Sequence, residues 1–234
     1  LYAWGYELSQ SWINPVIEYY KIFFGDKADI IIDVGTRDGD DAFQIATALD
    51  SKEIYAIEAR QEAAQEAMTK YPSFDVSNIA ISNFSGVTDF YSIISDDKDY
   101  AGSSSFYNNK FTRQEYPHKI IQVNTVTMDQ FIEGKGLEGR FLDVVKVDIE
   151  GYTWELLDGF TKHMNNVKLF HLETEKVSTH SNHRNSEEIK DFMFSKNFIL
   201  AGTQYEWDKE IEDQVWINKY LINNERERQK WLIS

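Results

Sequence analysis

The strongest constraint on this chain is an alternation. "DIIIDVG" (29–35) is short, apolar and β-branched, the pattern of a strand buried on both faces. "DDAFQIATAL" (40–49) then has helical spacing, "EIYAIEA" (53–59) is a second strand, "RQEAAQEAMTKY" (60–71) a second helix and "FDVSNIAIS" (74–82) a third strand. Such β-α-β-α-β order predicts a parallel sheet with helices on both faces. A helix over 11–24 precedes it, with Trp12, Val16, Tyr19, Tyr20 and Phe23 on one side. "GVTDFYSI" (86–93) and "KIIQVNTVTM" (119–128) read as extended segments joined by a polar loop, 95–118. Next come a strand in "FLDVVKVDIEG" (141–151), a helix in "TWELLDGF" (153–160), a strand in "VKLFHLETE" (167–175), a polar loop (176–186), a helix (187–195) and strands near 198–202 and 214–220. The expected fold is α/β, a doubly wound and mostly parallel seven-stranded Rossmann-like sheet with a small antiparallel insertion near 84–128. Residues 1–28 form an N-terminal helical segment and 29–234 a single domain. With 234 residues, 42% of them hydrophobic, the chain can bury one sizeable core.

In such sheets, ligands bind beyond the carboxyl ends of the strands, where the strand order reverses. The loop Gly35-Thr36-Arg37-Asp38-Gly39 after the first strand is therefore the first place to look. It lacks the dinucleotide fingerprint G-x-G-x-x-G, because Arg37 stands where the second glycine belongs, and no P-loop Gly-Lys-Ser/Thr follows. Asp33, Asp38, Asp40 and Asp41 crowd the position a pyrophosphate would take at a helix N-terminus. Asp40 and Asp41 read best as caps of that helix. A phosphate is repelled there, whereas a cationic ligand without phosphate is accommodated. S-adenosylmethionine (SAM), with its sulfonium, ammonium, carboxylate and ribose, meets that condition. Glu58, at the end of the second strand and followed by Ala59, has the position from which an acid accepts both hydroxyls of a ribose diol. NAD sites use an acid in the same way, so the acidic loop discriminates and Glu58 does not.

Charge narrows the partners. With 24 basic and 39 acidic side chains the net charge is −15, which disfavours nucleic acid and anionic membrane surfaces. The most basic stretch, 225–230, interleaves its bases with acids and reads as a solvated helix face. The absence of cysteine excludes disulfides, thiolate metal sites and a cysteine nucleophile, and suits a cytoplasmic setting.

"IIDVGTRDGDD", "IYAIEA", "NIAIS" and, above all, "VNTVTMDQFI" followed by "LDVVKVDIEGYTWELLDG" resemble the FkbM family of class I SAM-dependent methyltransferases. The resemblance covers residues 29 to about 175, and its most specific part is K-x-D-x-E-G, Lys146 to Gly151, with "LLDG". It implies a methyl transferase acting on a hydroxyl, of a carbohydrate or a secondary metabolite. It implies further that Asp33, Gly35, Thr36 and Gly39 shape the SAM pocket and that Glu58 and Ala59 border the ribose. Ala80 and Ile81 would lie beside the adenine, and the stretch Gly102 to Phe106, including Ser104, near the cofactor. The family often has a small polar residue at 37 and a non-acid at 38, so Arg37 and Asp38 depart from it; Arg37 could meet the methionine carboxylate or point outward.

Methylating a hydroxyl requires alignment and a base for its proton. Candidates stand at the ends of the later strands: Asp148, Glu150, Glu173, and His171 on the same face as Glu173. Glu150 could instead cap the helix that follows, His171 could be a hydrogen-bonded core residue, and Asp148 could pair with Lys146, two positions back on the same face. Asp148 can also be read as a contact to the SAM amine. Asp148 and Glu173 together could hold Mg²⁺. His180 and His183 read as loop residues. Tyr100, Phe106, Tyr107, Tyr116, His180 and Arg184, in the loops 95–118 and 176–186, are expected to face the acceptor. Two rivals stand beside this reading. One is a binding module that keeps the fold without catalysis. The other is an NAD-linked oxidoreductase or epimerase, whose Tyr-x-x-x-Lys appears only as Tyr205 to Lys209, late in the chain and outside a helix.

Overall fold

The structure, a computed structural model, describes residues 13–94, 104–106, 117–176, 184–205, 211–224 and 227–228. Ten strands are found among them: β1 (Ile30–Val34), β2 (Glu53–Ile57), β3 (Asp75–Ser77), β4 (Ala80–Ile81), β5 (Gly86–Ile93), β6 (His118–Val126), β7 (Leu142–Val147), β8 (Val167–Glu175), β9 (Phe198–Tyr205) and β10 (Ile211–Asn218). The helices are α1 (Asn14–Phe24), α2 (Asp40–Ala48), α3 (Gln61–Lys70), α4 (Met128–Gly134), α5 (Thr153–Asp158) and α6 (Ser186–Ser195). Seven strands form one sheet in the order β3-β2-β1-β7-β8-β10-β9, parallel except at β10. The chain leaves β1 in one direction toward β2 and β3 and returns on its other side as β7, so the switch in strand order lies between β1 and β7.

Period-two alternation divides the sheet between two cores. Ile30, Ile32, Val34, Val145, Val147, Phe170, Leu172 and Trp216 pack with Phe131, Leu156 and Ile189 of α4, α5 and α6. Ile31, Val144, Leu169, Val215 and Ile217 pack with Val16 and Tyr20 of α1 and Ile45 of α2. Toward the carboxyl ends this second face turns polar. Asp33 pairs in register with Lys146, Lys146 with His171, Glu173 with Asp213, and Asp213 with Gln204. The same alternation that buries isoleucine and valine lower down thus aligns ionisable side chains at the top.

The insertion is a separate three-stranded sheet, β4-β6-β5, antiparallel between β5 and β6 but parallel between β4 and β6. The single strand expected over 74–82 is therefore two: β3 ends the large sheet, and Ala80 and Ile81 belong to the small one. Asn78 makes the break, donating from its side-chain amide to the carbonyls of Glu58 (2.9 Å) and Ala59 (3.0 Å). Helix α4 lies where the sequence reading continued a strand to Met128. Its signal is a capping box: Thr127 accepts the Gln130 N–H at 3.2 Å while Gln130 accepts the Thr127 N–H at 3.0 Å. None of the helices is long and apolar enough to cross a membrane, among the described residues.

Asp129, in the first turn of α4, ties that helix to the segment after α5. Its buried carboxylate accepts the backbone N–H groups of Thr161, Lys162 and His163 at 2.9–3.1 Å and the Thr161 hydroxyl at 2.9 Å. Burial pushes this carboxyl up, but the three amides outweigh it and hold it below the usual range. Asp129→Ala strands three amides and is expected to cost about 2–3 kcal/mol in urea unfolding at pH 7. Because the folded-state value is depressed, this contribution is complete above about pH 4 and is lost as pH falls through the folded value. The difference between wild type and variant should shrink in acid.

Candidate active site at the switch point

The first loop is held from below. Asp33 is fully buried; one carboxylate oxygen accepts the Thr36 hydroxyl at 2.7 Å, and the other lies 3.5 Å from the Lys146 ammonium. Gly35 has φ +82°, and a Cβ there would sit 1.7 Å from the carbonyl oxygen of Asp148. The loop therefore crosses directly against the end of β7, which only glycine allows. Gly35→Ala combines a backbone strain with a clash against main chain, and is expected to destabilise by about 2–4 kcal/mol in chemical unfolding. Gly39, with φ +87°, is the N-cap of α2 and packs against the Tyr71 ring.

Asp40 and Asp41 are not side-chain caps, contrary to expectation; both lie in the first turn of α2 and make no capping hydrogen bond. Asp40 pairs with Lys70 and accepts the Tyr71 hydroxyl, whereas Asp41 turns inward to Lys146 at 3.2 Å. Asp38 accepts the Asp40 N–H at 3.4 Å and pairs with Lys70 at 3.2 Å. Arg37 adopts φ +53°, and its half-exposed guanidinium lies 3.8 Å from Asp38. Glu58 clamps the loop to α3: its two oxygens accept the N–H groups of Arg37 (3.0 Å) and Arg60 (2.8 Å). Burial raises its pKa, with Arg60 the main opposing charge. Oε1 also faces the Arg60 Nε at 3.4 Å, which leaves Oε2 as the oxygen with a second lone pair for a ligand hydroxyl.

Across the switch point, Asp148, Glu150 and Glu173 each bring a carboxylate oxygen within 4.8 Å of the others. Asp148 and Glu173 are in hydrogen-bonding reach of one another. The N-cap of α5 is Tyr152; Glu150, two positions before it, takes the left-handed conformation, φ +51°, and its carbonyl accepts the Ser105 hydroxyl at 2.7 Å. A non-glycine residue held in this region is strained, and such strain concentrates at functional sites. Glu173 is fixed through its backbone, whose carbonyl accepts the Thr153 hydroxyl at 2.7 Å.

Lys146 joins the two halves. Its ammonium is nearly inaccessible and contacts Asp33 (3.5 Å), Asp41 (3.2 Å) and Asp148 (3.2 Å). Burial works against its charge, but the three acids hold its pKa well above the ordinary lysine value. Burial also raises Asp148, and there the Lys146 ammonium, Glu173 and His171 outweigh it, so that carboxyl sits below the usual range. The Lys146–Asp148 pair was legible as an i, i+2 spacing, whereas Asp33 and Asp41 reach Lys146 only through the packing of β1, β7 and α2. His171 is buried with Nε2 3.2 Å from Asp213, a partner 42 positions away that no local pattern announces.

Ala80 and Ile81 are buried in the small sheet, where Ala80 packs with Phe90, Val123, Ala59 and Phe106. Ser104 accepts the Ile93 N–H at 3.0 Å, and Ser105 reaches the Glu150 corner. Of the expected acceptor-facing residues, Phe106 packs on Tyr152, and Arg184 lies 4.8 Å from the Trp154 ring centroid. Tyr100, Tyr107, Tyr116, His180 and His183, like Trp12 and Gly102, lie outside the described residues.

A family model described as the methyltransferase FkbM domain matches residues 33–200, from the acid of β1 into β9. The chain belongs to the FkbM methyltransferase family. Membership supports SAM-dependent methylation in general. No curated protein matches the sequence. Among solved structures, the FkbM methyltransferase from Methylobacillus flagellatus KT is similar over 85% of this chain, with 11% identity and a TM-score of 0.52; the match covers 47% of that protein. This FkbM chain thus spans about half the length of that relative. An rRNA methylase from Streptococcus thermophilus matches at 7% identity and TM-score 0.51, over 89% of this chain and 97% of its own. At such identities, these structures speak to the shared fold.

Proposed function

We propose that this FkbM-family chain is a SAM-dependent O-methyltransferase acting on a hydroxyl of a carbohydrate or another small metabolite. The observation that carries the reading is the juxtaposition at the switch point: a phosphate-hostile loop clamped by Glu58 on one side, and the Asp148–Glu173 pair on the other, with Lys146 between them. SAM, when bound, supplies an activated methyl group. The donor set fits it: Glu58 Oε2 has a lone pair for a ribose hydroxyl, and the acids around Gly35 and Gly39 suit a ligand with two positive centres and no phosphate. Ala59, Ala80, Ile81 and Ser104 border this side, and Asp33 and Thr36 keep the loop in shape.

On the acceptor side, Asp148 is the base. Lys146 keeps it ionised and fixes one oxygen, and Glu173 holds it from the next strand. The acceptor hydroxyl gives its proton to this pair, and Glu150 and His171 complete the polar wall. Three carboxylates and a net charge of −15 favour an uncharged acceptor over nucleic acid. The 4.8 Å grouping of Asp148, Glu150 and Glu173 supports a second reading, in which they also hold Mg²⁺, whose hard-oxygen preference they match.

Titration calorimetry with SAM, S-adenosylhomocysteine and NAD tests the cofactor side. SAM and its product are expected to bind, and NAD binding without SAM binding would refute the proposal. A labelled-SAM transfer screen over glycans, polyketides and RNA, with Mg²⁺ and with chelator, tests the acceptor. Methylation of RNA alone would overturn the small-acceptor reading, and activity unchanged by chelator would remove the metal.

A further inference from the structure

The small sheet reaches across the switch point through three residues, 104–106. They are fixed first to β5. Tyr91 and Ser105 exchange two backbone hydrogen bonds, at 2.9 and 3.1 Å, and the Ser104 hydroxyl accepts the Ile93 N–H at 3.0 Å. Phe106 stands edge-on to Phe90 of the same strand, with ring centroids 5.1 Å apart, and also packs on the Tyr152 ring at 4.3 Å. From this strap the Ser105 hydroxyl donates to the Glu150 carbonyl at 2.7 Å, and Ser105 is 2% exposed. A buried side chain of the insertion thus grips the connection between β7 and α5.

What it grips is a turn that glutamate does not favour. Glu150 and Gly151 both have positive φ, +51° and +85°, and the Tyr152 N–H reaches back to the Ile149 carbonyl at 3.3 Å. Two successive positive φ values mark a mirror-image turn, whose first central position belongs by preference to glycine, asparagine or aspartate. Glu150 bears a second cost at the same place, because its carboxylate lies within 4.8 Å of those of Asp148 and Glu173. The carbonyl that Ser105 holds belongs to the central peptide of this turn. A flip of that peptide converts the turn to the form in which only the first central residue keeps a positive φ, and swings the Glu150 carbonyl to the other side. The Ser105 hydroxyl opposes that flip.

We infer that Ser105 is a positioning residue: by holding the Glu150 carbonyl it fixes the strained turn and keeps the Glu150 carboxylate beside Asp148 and Glu173. This role rests on the methyl-transfer reading, in which Asp148 takes the acceptor's proton. It gives the insertion a part in that step, since the strap is anchored on β5 and acts on the acceptor side through one hydroxyl.

Ser105→Ala removes the hydroxyl and keeps the backbone pairing with Tyr91. In single-turnover transfer with saturating SAM, the variant is expected to be slower by about 10-fold, within what a misplacement of about 1 Å at a reacting site produces, while SAM affinity by calorimetry is unchanged. Glu150→Gly removes the carboxylate and lets the turn form without strain. It should slow transfer at least as much, and adding Ser105→Ala to it should cost nothing further, because both changes act through one group. Transfer by Ser105→Ala at the wild-type rate, or the same loss in both backgrounds, would overturn the role. A crystal structure of Ser105→Ala judges the tether independently of transfer. The Glu150–Gly151 peptide is expected to flip, or the Glu150 carboxylate to leave the other two. Both unmoved from their wild-type places would overturn the role even if transfer falls. A wild type that methylates no acceptor, with the peptide flipped in the variant, would sink the methyl-transfer reading and leave the tether standing.

Discussion

Lys146→Met is expected to cost the fold about 3–5 kcal/mol at neutral pH, the cost of breaking a buried charge group from one side. Methionine fills nearly the same space, so the loss is electrostatic rather than steric. What remains is Asp33, Asp41 and Asp148 facing one another without a cation, two of them at the ends of adjacent central strands. The pH dependence gives the cause away. In wild type the lysine pKa is raised, so its contribution is complete below the ordinary lysine value near 10.4 and fades only as pH rises through the folded value. In the variant, Asp33, whose carboxyl burial already raises in wild type, loses the charge that opposed its burial and rises further, and Asp148 loses the charge that holds it down. The folded state then binds more protons than the unfolded state, and stability increases as pH falls from about 7 toward 5. Urea unfolding across that range should show the deficit shrinking. A pH-independent deficit would mean that packing, rather than charge, was lost.

Asp148→Asn is expected to lower methyl transfer about 10²-fold while leaving SAM affinity within a few-fold. Asparagine keeps the shape, and Lys146 retains Asp33 and Asp41, so the fold should survive. The size of the effect follows from the site's electrostatics. A carboxyl held below its usual range is fully ionised at pH 7 but intrinsically weak as a base, which places its effect at the low end of the usual 10²–10⁴ for proton transfer. Most of the acceleration must then come from alignment. For the same reason, the acid limb of the rate profile should lie below the ordinary carboxylate range. Single-turnover transfer by the asparagine variant at near wild-type rate would remove Asp148 from the chemistry.

The parts of this fold that were legible in the sequence are those with local causes. β8 spans Val167–Glu175, the range its apolar run marks, because a buried strand needs nothing beyond β-branched and aromatic residues of the right length. Helix α4 was equally local, and its capping box at Thr127 and Gln130 was the signal to read. The break at Asn78 was not local, because it depends on carbonyls of the neighbouring connection. The site divides in the same way. Gly35, Gly39, Glu58 and Asp148 stand at strand ends and turns that motif and periodicity mark, and Lys146 shares a face with Asp148 by simple alternation.

From the sequence alone come the sheet class, the switch point, the family and the acid-rich character of the first loop, since each depends on residues within one turn or one strand of each other. The tertiary structure alone decides which acids share which cation. Asp40 and Asp41 are adjacent and chemically identical, yet one meets Lys70 outside and the other Lys146 inside. It also joins His171 to Asp213 and sets Gln204 at the far end of the row. Charges act through space at a few ångströms, and separation along the chain says nothing about that distance until the strands are in register.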